Sequence, residues 1–194
     1  MNICVYGASS ASLSKIYYEQ AELLGSLMAK DGHRLIFGGG KHGLMGAVAT
    51  GMWRENGSIL GIAPNFFDEP DVLFEHCSEF IYTETMRERK QLMEERSDAV
   101  IVLPGGIGTY EEFFEILTLK QLGQTSRAIT ILNTNHYYDP MLAFLQNTVD
   151  QKFMSAGCMN LFYIHERPEK LLDYIRDYVP ISGGISRLSD YSRP

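Results

Sequence analysis

Ala99-Val-Ile-Val-Leu-Pro-Gly-Gly-Ile-Gly-Thr-Tyr-Glu-Glu112 is an apolar run that breaks into a glycine-rich loop and then into a charged, helix-forming segment. Residues 99–103 are apolar without alternation, the pattern of a strand covered on both faces, as in a parallel sheet. The glycines that follow let a backbone approach a ligand closely. The exposed N–H groups and dipole of the next helix then form an anion site, to which Thr109 adds a hydroxyl donor. A second reading makes the segment a tight turn, with Thr109 and Glu112 as a capping box. Three glycines within four residues, directly after a buried strand, favour the phosphate cradle.

The same alternation of short apolar runs and helical patterns extends in both directions. Strands are expected at residues 3–6, 34–37, 58–62, 80–82, 99–103, 128–132 and 161–164. Helices are expected at about 14–30, 43–55, 84–97, 109–122, 140–153 and 168–178. Residues 63–77 carry Pro64, Pro70 and an acidic cluster, and read as a long loop. Strands that alternate with helices imply an α/β domain, a parallel sheet with helices on both faces. Ligands in such sheets sit beyond the carboxyl ends of the strands, where the glycines lie. Residues 1–180 form the expected domain, and 181–194, rich in Ser, Gly and Arg, a flexible C-terminal tail.

Length and composition narrow the function. The 194 residues are 45% hydrophobic and 21% charged, and 17 Lys+Arg against 24 Asp+Glu give a net charge of −7. Such a chain repels long polyanions, which argues against nucleic acid and membrane surfaces as partners, but a single phosphate can still be held by local donors. Cys4, Cys77 and Cys158 show neither a CxxC pair nor a Cys/His cluster, so no metal site is expected, and Cys77 and Cys158 read as inert. The amino terminus lacks a signal-peptide pattern and no apolar run reaches the ~18 residues of a membrane span, so a cytoplasmic protein is expected.

Other motifs are weaker. Gly38-Gly-Gly-Lys-His-Gly-Leu-Met-Gly46 contains a formal G-x-G-x-x-G, but it follows the second strand, and the third ends Gly61-Ile62-Ala63 without an acid. A nicotinamide site, and with it an oxidoreductase, is poorly supported. Close packing explains these glycines as well as ligand contact does, and Lys41 and His42 read as exposed loop residues. In the charged helix, Lys90 and its neighbours suit a solvated face with i,i+4 pairs, whereas a function requires one Arg turned into a cleft. No Walker sequence, G-x-S-x-G or histidine partner spacing is present.

Together, Gly38-Gly-Gly…Gly43-Leu-Met-Gly46, Met86-Arg-Glu-Arg-Lys90 and Pro104-Gly-Gly-Ile-Gly-Thr-Tyr-Glu-Glu112 resemble the successive signatures of the LONELY GUY family. These are cytokinin riboside 5′-monophosphate phosphoribohydrolases, formerly mislabelled lysine decarboxylases. The match runs in order from Asn2 to about Val179, through Gln121-Leu-Gly123 and Asn133…Tyr137-Tyr138. The resemblance implies a Rossmann-like three-layer fold and a homodimer. It also implies hydrolysis of the N-glycosidic bond of a purine or N6-modified adenosine 5′-monophosphate, releasing free base and ribose 5-phosphate. It places the catalytic pair on Arg89 and Glu112. Substrate contacts fall on Asp71, Lys90, Thr118 and the phosphate loop Gly105, Gly106, Ile107, Gly108 and Thr109. No cofactor or metal is implied. The family commonly has Met-His where this chain has Met86-Arg87, which adds a positive charge on the base side. The alternative is a nucleotide-binding or sensing protein of the same fold without turnover.

Overall fold

A computed structural model describes residues 1–180; the expected tail lies outside the described residues. The strands are β1 (Asn2–Tyr6), β2 (Arg34–Phe37), β3 (Ser58–Pro64), β4 (Glu79–Thr83), β5 (Ala99–Val102), β6 (Ala128–Leu132) and β7 (Tyr163–His165). The helices are α1 (Lys15–Lys30), α2 (Gly43–Arg54), α3 (Met86–Glu95), α4 (Ile107–Gln121), α5 (Asp139–Asp150) and α6 (Pro168–Asp177). The strands form one sheet in the order β4-β3-β2-β1-β5-β6-β7, and every pairing is parallel. This is the parallel sheet with helices on both faces that the apolar strands imply, and the Rossmann-like three-layer fold that the resemblance implies.

Period-2 geometry divides each strand's side chains between two cores. Ile3 and Val5 point into one, with Leu24 of α1, Val48 of α2 and Leu171 of α6. Cys4 and Tyr6 point into the other, with Met93 of α3, Phe113 of α4 and Leu145 of α5. Both faces of the central strands are dry, which is why those strands read as unbroken apolar runs.

Several boundaries differ from expectation, and three of the differences have a clear local cause. Strand β3 extends through Pro64, so the long loop begins later and opens with a 3-10 turn at Asn65–Phe67. Strand β7 starts at Tyr163, because Leu161 closes the preceding 3-10 turn at Ala156–Asn160. Helix α4 begins at Ile107 with Gly106 as its N-cap, so Thr109 lies inside the first turn and forms no capping box with Glu112. The capping box is at α3 instead. The Thr85 hydroxyl accepts from the Glu88 N–H at 3.2 Å, and the Glu88 carboxylate accepts from the Thr85 N–H at 3.3 Å.

Helices α1 and α2 cross closely because glycines face each other's backbone. A Cβ on Gly51 would lie 2.0 Å from the Glu22 carbonyl oxygen, and one on Gly25 would lie 2.1 Å from that of Val48. Helix propensity alone favours Ala over Gly by about 1 kcal/mol. Here the opposing atoms are backbone and cannot swing away, so overpacking wins. Gly51→Ala is expected to lower unfolding stability by about 1–3 kcal/mol in denaturant titration; a gain in stability would contradict this account of the crossing.

Candidate active site

The strand order changes direction between β1 and β5, and the crevice beyond their carboxyl ends is where open α/β sheets hold ligands. Three loops meet there. The Ala8 N–H donates to the Pro104 carbonyl at 3.0 Å, and the Leu44 N–H donates to the Ala8 carbonyl at 2.8 Å. The second contact requires a glycine at position 43, where φ is +64° and a Cβ would sit 2.2 Å from the Ala8 oxygen. The resulting cleft has a volume of about 690 Å³, within the usual range for a small-molecule site.

One wall is the amino end of α4. Gly106, Ile107, Gly108 and Thr109 line it, and the N-cap glycine supplies no side-chain cap, so the first amides of the helix have no partner within it. A Cβ on Gly106 or Gly108 would meet nothing within 4 Å, which leaves that edge open to a ligand. Gly105 turns the other way, and a Cβ there would lie 2.1 Å from Thr109 Oγ1.

Beneath that wall lie Arg89 and Glu112. Arg89 is 6% exposed; its Nε donates to the Ile62 carbonyl at 3.3 Å, and its Nη1 lies 3.4 Å from Glu112 Oε1. A Cβ on Gly38 would be 2.1 Å from Arg89 Nη2, so a glycine of the second loop makes room for the guanidinium. Burial raises the Glu112 pKa, and the positive charge of Arg89 only partly offsets it, so the carboxyl is pushed up to about 7. Such a group holds both protonation states at neutral pH, as suits a carboxyl used for proton transfer.

The structure brings Arg89, Lys90, Glu112 and residues 106–109 to one cleft. Lys90 is tied to two carboxylates, Glu111 and, at 2.9 Å, Glu115. Burial lowers its pKa, but the two carboxylates outweigh that and leave it raised. Asp71 and Thr118 are not brought in. The Asp71 side chain is exposed at the rim, 2.5 Å from Lys41 Nζ, and its neighbours Val72 and Leu73 face the cleft instead. Thr118 lies eleven residues, or about 16 Å, along α4 from its start, exposed, with its hydroxyl donated to the Phe114 carbonyl.

Gly7, Ala8 and Ser9 also line the cleft, and Met45, Phe67, Val72, Leu73 and Met86 form its apolar side. Sequence reasoning did not single these out. Their signal is the strand order: once β1 and β5 are neighbours at the reversal, the loop after β1 must face the loop after β5. His42 reaches the rim, where its Nε2 lies 2.9 Å from the Asp71 carbonyl.

Known proteins are similar to this chain over most of its length. A family model described as possible lysine decarboxylase matches residues 45–175. The cytokinin riboside 5′-monophosphate phosphoribohydrolase LOG2 of Arabidopsis thaliana is 33% identical over 178 residues, spanning 92% of this chain and 84% of that protein. A probable phosphoribohydrolase of the same description, LOGL2 of Oryza sativa subsp. japonica, is 32% identical over 92% of this chain and 73% of its own length. Among solved structures, the Moco carrier protein of Chlamydomonas reinhardtii shares the fold, with a TM-score of 0.68 at 20% identity over 90% of this chain and 94% of that one.

The raised carboxyl has a consequence for stability. Its pKa is 4.5 in an unfolded chain and about 7 when folded, so the folded state binds the extra proton between those values. The stability this contributes is complete below 4.5 and is lost as pH rises through about 7. Glu112→Gln, which does not titrate, is therefore expected to gain in melting temperature relative to the wild type as pH rises from about 5 to about 8. The swing is at most roughly 3 kcal/mol. Parallel melting curves for the two proteins across that range would show that burial does not hold the proton.

Proposed function

This chain belongs to the LONELY GUY family of cytokinin riboside 5′-monophosphate phosphoribohydrolases, and from that premise we propose that its cleft hydrolyses the N-glycosidic bond of a purine, or N6-modified adenosine, 5′-monophosphate. The observation that carries the reading is a largely buried Arg89–Glu112 pair lining the same cleft as an uncapped helix end. The helix amides of residues 107–109 would take the phosphate, with the Thr109 hydroxyl beside them. Binding energy from the phosphate then orients the ribose over the carboxylate.

Cleavage breaks the bond between the anomeric carbon and the base nitrogen, and the electron pair leaves with the base. Positive charge grows on the sugar, and the Glu112 carboxylate opposes that charge and takes the proton of the water that adds to the anomeric carbon. The departing base takes up a proton from solvent, and Glu112 later gives up the one it accepted. One water in all is consumed to give free base and ribose 5-phosphate. Arg89 holds Glu112 in place and offers its remaining N–H groups to ribose or phosphate oxygens. Lys90, already paired with Glu111 and Glu115, adds less charge to the subsite than a lone lysine would. Asp71 and Thr118 would reach substrate only through a change of the rim or from a second subunit.

A decarboxylase that forms a Schiff base needs an uncharged lysine amine in the cleft. Lys90 is the lysine that lines it, and the two carboxylates hold it as the ammonium. A binding protein without turnover has no use for a carboxyl buried against Arg89. The reading includes a homodimer, which the family resemblance supports, and a place in the cytoplasm. No helix among the described residues is long and apolar enough to cross a membrane, and the net charge of −7 disfavours nucleic acid.

The test is to incubate the purified protein with plain and N6-substituted adenosine 5′-monophosphates and measure ribose 5-phosphate. Release of free base with at least one of them is expected, and Glu112→Gln should lower kcat by about 10²-fold or more. Tight binding of a monophosphate with no ribose 5-phosphate formed would refute hydrolysis.

A further inference from the structure

The amide edge of residues 106–109 faces the cleft, and a pair of tyrosines grips the back of the same loop. The Tyr137 hydroxyl donates to the Gly105 carbonyl at 2.6 Å, and the Tyr110 hydroxyl lies 2.9 Å from that of Tyr137. Because Tyr137 gives its proton to Gly105, Tyr110 must be the donor in the second bond. The relay therefore runs from α4, through Tyr137 beyond the end of β6, to one carbonyl. Edge-on contacts with Tyr17 of α1 and with Tyr138, at centroid distances of 6.2 and 5.0 Å, fix the Tyr137 ring. Burial pushes the Tyr137 phenol up to about 12, so it remains a donor at any ordinary pH.

The carbonyl matters because the peptide that carries it lies between two glycines. In a planar trans peptide the C=O and N–H point in opposite directions. Glycine on both sides lets that whole unit flip at little steric cost. Holding the Gly105 oxygen on Tyr137 aims the Gly106 N–H the other way, and Gly106 lines the cleft. A flipped peptide would present the negative end of its dipole to an anion.

We propose that Tyr137, backed by Tyr110, is a positioning residue of the anion subsite: its hydroxyl locks the Gly105–Gly106 peptide so that the cleft offers an N–H to phosphate. This rests on the function proposed above only for the identity of the anion. Tyr138 supplies an internal comparison. Its hydroxyl donates to the Leu103 carbonyl at 2.7 Å, but the peptide it pins ends on Pro104, which has no N–H to aim. Two similar hydrogen bonds thus have different consequences, and only that of Tyr137 orients a donor.

Tyr137→Phe and Tyr138→Phe in the full chain separate orientation from stability. Ribose 5-phosphate binding is measured by calorimetry, kcat and KM with a nucleoside monophosphate, and Tm by thermal unfolding. Tyr137→Phe is expected to weaken ribose 5-phosphate binding and raise KM by about tenfold each, with kcat changed less than about twofold. Tyr138→Phe is expected to lower Tm at least as much while moving both constants less than about twofold. The proposal is overturned if both variants shift the constants alike, if Tyr137→Phe shifts neither, or if the wild type does not bind ribose 5-phosphate. Tyr137-dependent binding by a wild type that turns over no monophosphate would sustain the positioning role and overturn the function instead.

Discussion

Burying a guanidinium against a carboxyl costs both groups their hydration, and the contact between Arg89 and Glu112 is a single one of 3.4 Å. A pair of this kind adds little net stability, and removing one partner leaves the other stranded. The surroundings are arranged to make the burial tolerable. Gly38 leaves space for the guanidinium, the Ile62 carbonyl accepts from its Nε, and the Thr85–Glu88 box fixes the start of the helix that carries it. Desolvation still dominates at Glu112, which is why its carboxyl is held near neutrality while a cation lies beside it. The same contact joins α3 to α4, and α4 also presents the open amides. The open amides and the titrating carboxyl are therefore features of one element.

Most of the fold is legible in the chain because its central strands are dry on both faces. Residues 99–103 and 128–132 read as strands since no polar side is required of them, and the structure pairs β5 with β6 side by side. What periodicity does not show is where an element starts when the cap is a glycine. Thr109 and Glu112 have the spacing of a capping box, yet α4 begins two residues before Thr109, because Gly106 can take the N-cap without a side-chain partner. The true box at Thr85 and Glu88 has the same spacing and was hidden inside a run of charges.

The site is legible in part, and for a physical reason. The glycine loop belongs to a contiguous motif whose chemistry can be read locally, whereas Arg89 and Glu112 are singled out by the family resemblance. Asp71 illustrates the limit. Its loop crosses the rim with an isolated bridge from Leu73 to Gly40, and that register, which turns Val72 and Leu73 inward and Asp71 towards Lys41, is a tertiary fact. Gly7 to Ser9 escape notice because their role depends on strand order, which a single chain does not display. The glycines of residues 38–46 were open to two explanations, and at Gly38, Gly43 and Gly46 the packing one is visible: a Cβ there would meet Arg89, Ala8 or the Lys41 carbonyl.

A net charge of −7 and a phosphate ligand are compatible only if the anion is held by oriented donors at one place. Comparing kcat/KM for a nucleoside 5′-monophosphate with that for the same nucleoside lacking its phosphate measures how far those donors serve the chemistry. A preference of about 10³-fold or more for the monophosphate is predicted, because the phosphate is what seats the ribose over Glu112. Equal cleavage of the two, within about tenfold, would contradict the account.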